Sequence, residues 1–264
     1  MRYRFQLGKH IGAVVNYRKW GFFFLLLLFS ACAPLITATP PPTPQVLTLT
    51  RPLALTGWDA RIHDCAKNFP QLAIFILEDS VGSSNQGFTL YLGNPPQPTD
   101  FTYIIGYEDI LVLANKAFPF NELSLTQLQD LLSTGLPSPS IQDPSIPAVQ
   151  FWTYPSDDEA RIAFDQAALN AGSAHIQAQI APDPSAMLEA LANDPAAFGY
   201  LPVSFFHANP DQQSQVKLLD LDGTLADALR QPVLAIFTSN PDALENAYLR
   251  CLKDADHSST TSSP

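Results

Sequence analysis

Two groups of acids have the residue types and spacing for chemistry. The first lies in "YPSDDEARIAFDQAA", residues 154–168, where Asp157, Asp158 and Glu159 are consecutive and Arg161 follows two positions later. On a loop, three carboxylates could take a positive group. At a helix start they would serve as caps, because free N–H groups and the helix dipole favour negative side chains there. Ser156 as N-cap, Asp157 and Asp158 in the first turn and Glu159 at N3 read as a capping box. Arg161 is spaced to pair with Asp157 or Asp158 behind it and with Asp165 ahead. Capping alone and capping with ligand contact both remain open, since either uses every acid. The second group is Asp220 and Asp222 in "LLDLDGTLADAL", residues 218–229. Two carboxylates at that spacing could divide nucleophilic attack from proton transfer. The simpler reading is an Asp-Gly turn between a strand and a helical piece capped by Asp222 or Thr224.

The elements that must position these acids alternate between strands and helices. "VLTLT" from Val46 reads as a strand, and "WDARIHDCAKNF" as a helix with Ile62, Cys65, Ala66 and Phe69 at helical spacing. "QLAIFILE", "GFTLYLG" and "YIIGYEDILVLAN" have the β-branched and aromatic density of strands, the last broken at Glu108 and Asp109. A Ser124-capped helix with Leu125, Leu128, Leu131 and Leu132 stops at Gly135, before a Pro-rich loop. "AVQFWTY" leads into the first acidic group, and "DPSAMLEALANDP" is a further helix. "VKLLDL", "LADALR", "PVLAIFTS" and "PDALENAYLRCLKD" close the chain as strand, short helix, strand and terminal helix. Helices that repeatedly follow strands indicate an α/β architecture with mostly buried sheet.

Charge excludes some functions. The first 31 residues hold five bases and no acid, leaving nine bases against 25 acids, a net charge of −16 for the remainder. Such a surface repels nucleic acid, which is bound through Lys and Arg on phosphates. The five histidines lack metal-ligand spacing and no CxxC occurs, so neither a metal nor a cofactor is expected. The basic N-terminus, the apolar run "GFFFLLLLF" and "SA" before Cys32 resemble a bacterial lipoprotein signal, with Phe29 where that pattern usually has Leu. The resemblance implies cleavage after residue 31, acylation of Cys32 and an extracytoplasmic location on a membrane anchor. The alternative is an uncleaved N-terminal helix starting near Trp20. Residues 32–45, rich in Pro and Thr, then read as a spacer. The two remaining cysteines, Cys65 and Cys251, would form a disulfide in an oxidising compartment, or else sit as two buried thiols.

"DLDGTLAD" resembles the first motif of the haloacid dehalogenase-like phosphohydrolases, which implies Asp220 as nucleophile and Asp222 as acid/base near magnesium. That family needs a long downstream domain, and only 42 residues follow Asp222, with one lysine, Lys253. A broader resemblance covers residues 46 to 253. "YEDILVLANKAFPFNELSLTQLQDLLSTG", with Asn115 and Leu125-Thr126-Gln127-Leu128, and Phe198-Gly199-Tyr200 resemble segments of the phosphate-binding type of periplasmic solute-binding protein.

That resemblance implies a two-lobed, type II periplasmic-binding-protein-like α/β fold with crossing hinge strands. Residues 46–107 plus 232–253 would form lobe one, residues 108–231 lobe two and residues 254–264 a flexible tail. The first and last helices would share lobe one, allowing Cys65 to meet Cys251. Against the family's Ser-Gly-Thr anion cradle, the chain places Asp158, Glu159 and Ala160, followed by Arg161 and Phe164. Candidate ligand contacts are Thr56, Gly57 and Trp58 after the first strand, Ser83 in a polar loop, Tyr107, Ser156, Asp157, Asp158, Arg161 and Tyr200. The implied protein is a non-catalytic monomer that takes a small-molecule solute beside an ABC permease. An accessory protein with a degenerate cleft is the alternative.

Overall fold

The computed structural model describes residues 43–78, 87–95, 101–134, 149–169 and 178–259. The lipoprotein-like segment with Cys32, the loop with Ser83 and the Pro-rich loop after Gly135 lie outside the described residues. No helix among the described residues is long and apolar enough to cross a membrane.

The chain begins with β1 (Gln45–Arg51), a 3₁₀ segment (Leu53–Trp58) and α1 (Asp59–Lys67), followed by β2 (Leu72–Glu78) and β3 (Gly87–Leu92). β4 (Thr102–Asn115) leads through the short β5 (Glu122–Leu123) to α2 (Leu125–Thr134). Next come β6 (Gln150–Thr153), α3 (Glu159–Leu169), β7 (Gln179–Ile180), α4 (Pro184–Asn193) and β8 (Ala197–Pro202). α5 (Val203–Ala208), β9 (Val216–Leu218), β10 (Asp220–Leu221), α6 (Gly223–Ala228), β11 (Arg230–Phe237) and α7 (Ala243–Ser259) complete the chain. α7 extends past residue 254, so the first part of the expected tail is helical.

Among the described residues, nine strands form one sheet in the order β2-β1-β3-β11-β4-β8-β6-β7, with β9 also on β4. β4 connects its two halves. From Thr102 to Asp109 it pairs antiparallel with β11, and from Ile110 to Asn115 with β8 and β9. The expected break at Glu108 and Asp109 does not occur, because the strand continues through both residues. Ile110, Val112 and Ala114 point inward at alternate positions, and Glu108 falls on the same phase, which buries it.

Period-two alternation also buries Leu47, Leu49 and Arg51 on one face of β1. There the Arg51 guanidinium meets Asp59 at 2.7 Å, at the start of α1, and Glu78 at 3.6 Å, at the end of β2. One buried cation thus ties three elements together, with its charge compensated. Asn115 performs a similar task at the C-terminal end of the crossing strand β4. Its Nδ2 donates to the carbonyls of Leu191 and Ala192 at 2.8 and 2.9 Å, satisfying the C-terminus of α4. Ser124 and Gln127 form the reciprocal cap of α2, with Ser124 N–H donating to Gln127 Oε1 at 2.8 Å and Gln127 N–H to Ser124 Oγ at 3.3 Å.

Candidate functional site

The strand-end loops after β1, β6 and β7 meet at a small cleft of ≈ 180 Å³. Pro52 and Leu53 form one wall; Pro155, Asp157, Asp158, Glu159 and Pro182 form the rest. α3 starts at Glu159 rather than at the position that Ser156 would cap. Pro155 to Asp158 close a turn, with Asp158 N–H donating to Pro155 C=O at 3.1 Å. Asp158 is therefore the cap, two residues later than the sequence pattern placed it. A proline-initiated turn absorbs Ser156 and Asp157 before helical geometry begins.

The Asp158 carboxylate oxygen Oδ1 accepts from the N–H groups of Ala160 at 2.9 Å and Arg161 at 3.2 Å. Glu159 Oε2 accepts from Leu92 N–H at the end of β3, joining the start of α3 to the strand opposite. The first-turn donors that would suit an external anion at a helix N-terminus thus carry the protein's own carboxylate. Arg161 is also engaged. Its Nη1 donates to Tyr154 C=O at 2.8 Å, and its Nε reaches Asp165 at 3.4 Å. The i+4 pairing forms, and Asp158 meets the Arg161 backbone N–H. Burial pushes the Asp165 carboxyl up, against the lowering effect of Arg161.

The other candidates fall elsewhere. Thr56 Oγ1 donates to Leu53 C=O at 2.9 Å, inside the 3₁₀ segment. Tyr200 is fully buried, stacks on Phe164 with ring centroids 4.0 Å apart, and shares a 2.7 Å hydrogen bond with Thr153 Oγ1. It cannot reach a solute from that position, and the expectation that it lines the cleft is corrected. The Gly-Tyr pair in an all-buried strand serves the core between β6, β8 and α3.

Gly57, Trp58 and Tyr107 gather at a second cavity of ≈ 510 Å³, together with Arg61, Glu108, Ser204, His207 and Arg230. Here the crossing strand meets the 3₁₀ segment and α5. Glu108 Oε2 accepts from Trp58 Nε1–H at 2.6 Å, and Oε1 accepts from Ser204 N–H at 2.7 Å. Arg61 lies over the Trp58 ring at 4.0 Å, and Arg230 over Tyr107 at 5.2 Å. The sequence reads Glu108 both as a break in its strand and, beside Tyr107, as a cleft position near the crossing. The available signal was a charge on the inward phase of an apolar strand.

Burial pushes the Glu108 carboxyl above its ordinary value, while the hydrogen bonds from Ser204 and Trp58 and the Arg61 charge pull it down. A displaced buried carboxyl in a cavity suits acid/base chemistry. Both oxygens are nevertheless bound to fixed protein donors, which identifies Glu108 as a clamp. A raised folded-state value means that folding takes up a proton. The stabilising contribution is full below the unfolded value near 4.5 and is lost as pH rises through the folded value. Wild-type stability should accordingly fall relative to Glu108→Gln as pH rises across that window, measured by urea midpoints. A pH-independent difference would contradict the desolvated carboxyl.

Asp222, the second acid of the phosphohydrolase-like motif, caps two helices. Its Oδ1 accepts from Leu225 N–H at 3.0 Å in α6, and its Oδ2 from Leu125 N–H at 2.8 Å at the start of α2. These bonds hold the carboxyl below its ordinary range. The geometry is that of the capped turn, and no group of three metal-ligating side chains occurs among the described residues.

Cys65 on α1 and Cys251 on α7 are joined, with Cα atoms 5.8 Å apart. Tyr248 packs beside them and donates its hydroxyl to Ile62 C=O at 3.0 Å.

No protein-family model and no curated protein matches the chain. Solved structures do. A phosphate ABC transporter substrate-binding protein from Clostridium perfringens, with bound phosphate, superposes with a TM-score of 0.61 at 14% identity, covering 79% of this chain and 93% of that one. An ABC-type phosphate transport receptor from Vibrio cholerae gives 0.59 at 12% identity, over 81% and 96%. The CcmR regulatory domain of Synechocystis PCC6803, in complex with 2-PG, gives 0.59 at 10% identity, over 80% and 97%. The chain has the two-lobed type II periplasmic-binding-protein fold, with β4 among its crossing strands.

Proposed function

We propose that the chain is a non-catalytic, extracytoplasmic solute-binding protein, anchored through Cys32 and serving an ABC transport or sensing system. Lobe one comprises residues 46–107 and 232–253, and lobe two residues 108–231, with the solute held where strand-end loops meet. The observation that carries this reading is the convergence of the β1, β6 and β7 ends on one cleft in a two-lobed fold, with Glu159 at its edge tied to the end of β3. Its loop is altered. Asp158 occupies the Ala160 and Arg161 N–H groups and Glu159 occupies Leu92 N–H, so the cleft suits a small neutral or cationic solute better than phosphate.

A solute selective for the folded state raises its melting temperature, by about 2.7 kcal/mol of stability at a hundredfold excess over Kd. A panel of sugars, amino acids, polyamines, phosphate and sulfate should therefore yield a shift with an uncharged or cationic member and none with phosphate. Replacing Asp158, Glu159 and Ala160 by Ser, Gly and Thr frees the N–H groups, and phosphate should then stabilise the variant. A phosphate shift in the wild type would refute the altered loop. The self-filled cleft also favours a second reading, an accessory protein that kept the fold and lost its ligand, which a panel without any response would select.

A further inference from the structure

We propose that β2 is a pairing edge through which two copies of this chain associate, antiparallel and centred on Phe75. The inference is independent of the solute reading. β2 ends the nine-stranded sheet, pairing with β1 on one side and with no described residue on the other. Exposed sheet edges invite another strand, and proteins block them with lysine, proline, bulges or very short strands. β2 has none of these devices: it is seven residues, Leu-Ala-Ile-Phe-Ile-Leu-Glu, in unbroken register with β1.

Its side chains are equally unprotected. Phe75 is 57% exposed and Leu77 46%, and Val46, 49% exposed, continues the same sheet face on β1. Register places Ala73, Phe75 and Leu77 beside Val46, Thr48 and Thr50, so no charged residue of either strand occupies that face. Parallel strands normally have both faces covered.

Sequence symmetry selects the occupant, and charge restricts the contact to this edge. The chain carries a net charge of −11, and the leader-free portion is more acidic still, so two copies repel across most of their surface. β2 carries only Glu78, at its end. Centred on Phe75, an antiparallel pair sets Phe75 against its copy, Ala73 against Leu77 and Ile74 against Ile76. Leu72 faces Glu78, keeping the two glutamates apart. Such apolar cross-strand pairs are the stabilising unit of a sheet. The contact is isologous and closes at two copies. An anionic bilayer offers no comparable match to so acidic a chain.

The test uses the full chain in its membrane and in detergent. Phe75→Cys should give an oxidative cross-link at twice the chain mass, whereas Thr126→Cys, exposed on α2, should give none. Light scattering should show a wild-type dimer, and Leu77→Lys should convert it to a monomer with unchanged circular dichroism. A wild-type monomer at every concentration overturns the proposal. So does a Phe75→Cys thiol that labels freely, that is shielded within a monomer by the chain's own N-terminal segment, or that is shielded only by lipid vesicles.

Discussion

Gly57→Ala should destabilise the protein by about 3 kcal/mol, at the upper end of the cost of forcing a methyl into a packed interior. A Cβ at residue 57 would lie 2.3 Å from the Ser204 carbonyl carbon, 2.4 Å from Phe205 N and 2.5 Å from Ser204 Oγ. Two of these three atoms are backbone, so no rotamer change relieves the contact. The 3₁₀ segment would have to separate from α5, and the same movement would stretch both hydrogen bonds that Glu108 makes, to Trp58 Nε1–H and Ser204 N–H. Buried donors left unpaired add about 1–3 kcal/mol each, which makes this glycine costly to replace.

Urea unfolding would measure the loss, and Trp emission would report displacement of Trp58. Gly223→Ala is the control. Nothing lies within 4 Å of its added Cβ, at the first position of α6, and its effect should stay within about 0.5 kcal/mol. Equal costs for the two substitutions would show that the approach of the 3₁₀ segment to α5 is not what requires Gly57.

Gly57 also shows which information the sequence contained. Its place after the first strand suggested backbone presented to a ligand, whereas the structure presents that backbone to α5. The elements themselves were legible because strand and helix periodicities are local. Alternating Leu47 and Leu49, or Leu128, Leu131 and Leu132, identify an element and its buried face without knowledge of its partners.

The site was less legible because its polar contacts are long-range. Glu108 finds Ser204 96 positions away, Glu159 finds Leu92 across 67, and Asp222 finds Leu125 across 97. A one-residue pattern cannot specify such pairs, although charges on inward phases, at Arg51 and Glu108, mark where they must occur. The cap position failed for a local reason. Ser156, Asp157 and Asp158 all suit an N-cap, and the turn closed on Pro155 C=O decides among them.

Removing both cysteines, as Cys65→Ala with Cys251→Ala, should cost about 2–5 kcal/mol while leaving the native fold recognisable. The bond closes a loop across 186 positions, from α1 to α7, so nearly all of the folded chain lies between its ends. In the chain-entropy account, a loop of this size restricts the unfolded ensemble by about 5 kcal/mol, with strain and residual structure reducing the measured value. The native contact does not depend on the bond alone. The Tyr248 hydroxyl reaches Ile62 C=O at 3.0 Å, and Phe69 meets the Tyr248 ring edge-on at 5.8 Å, so α1 and α7 remain packed without it.

The loss should therefore appear in stability and not in native spectra. At about 2–4 °C per kcal/mol for a domain of this size, the melting temperature should fall by roughly 10 °C. Reductant should bring the wild type to the level of the double variant and leave the variant unchanged. Equal melting temperatures for wild type and variant under oxidising conditions would mean that the α1–α7 packing already restrains the chain as fully as the covalent bond.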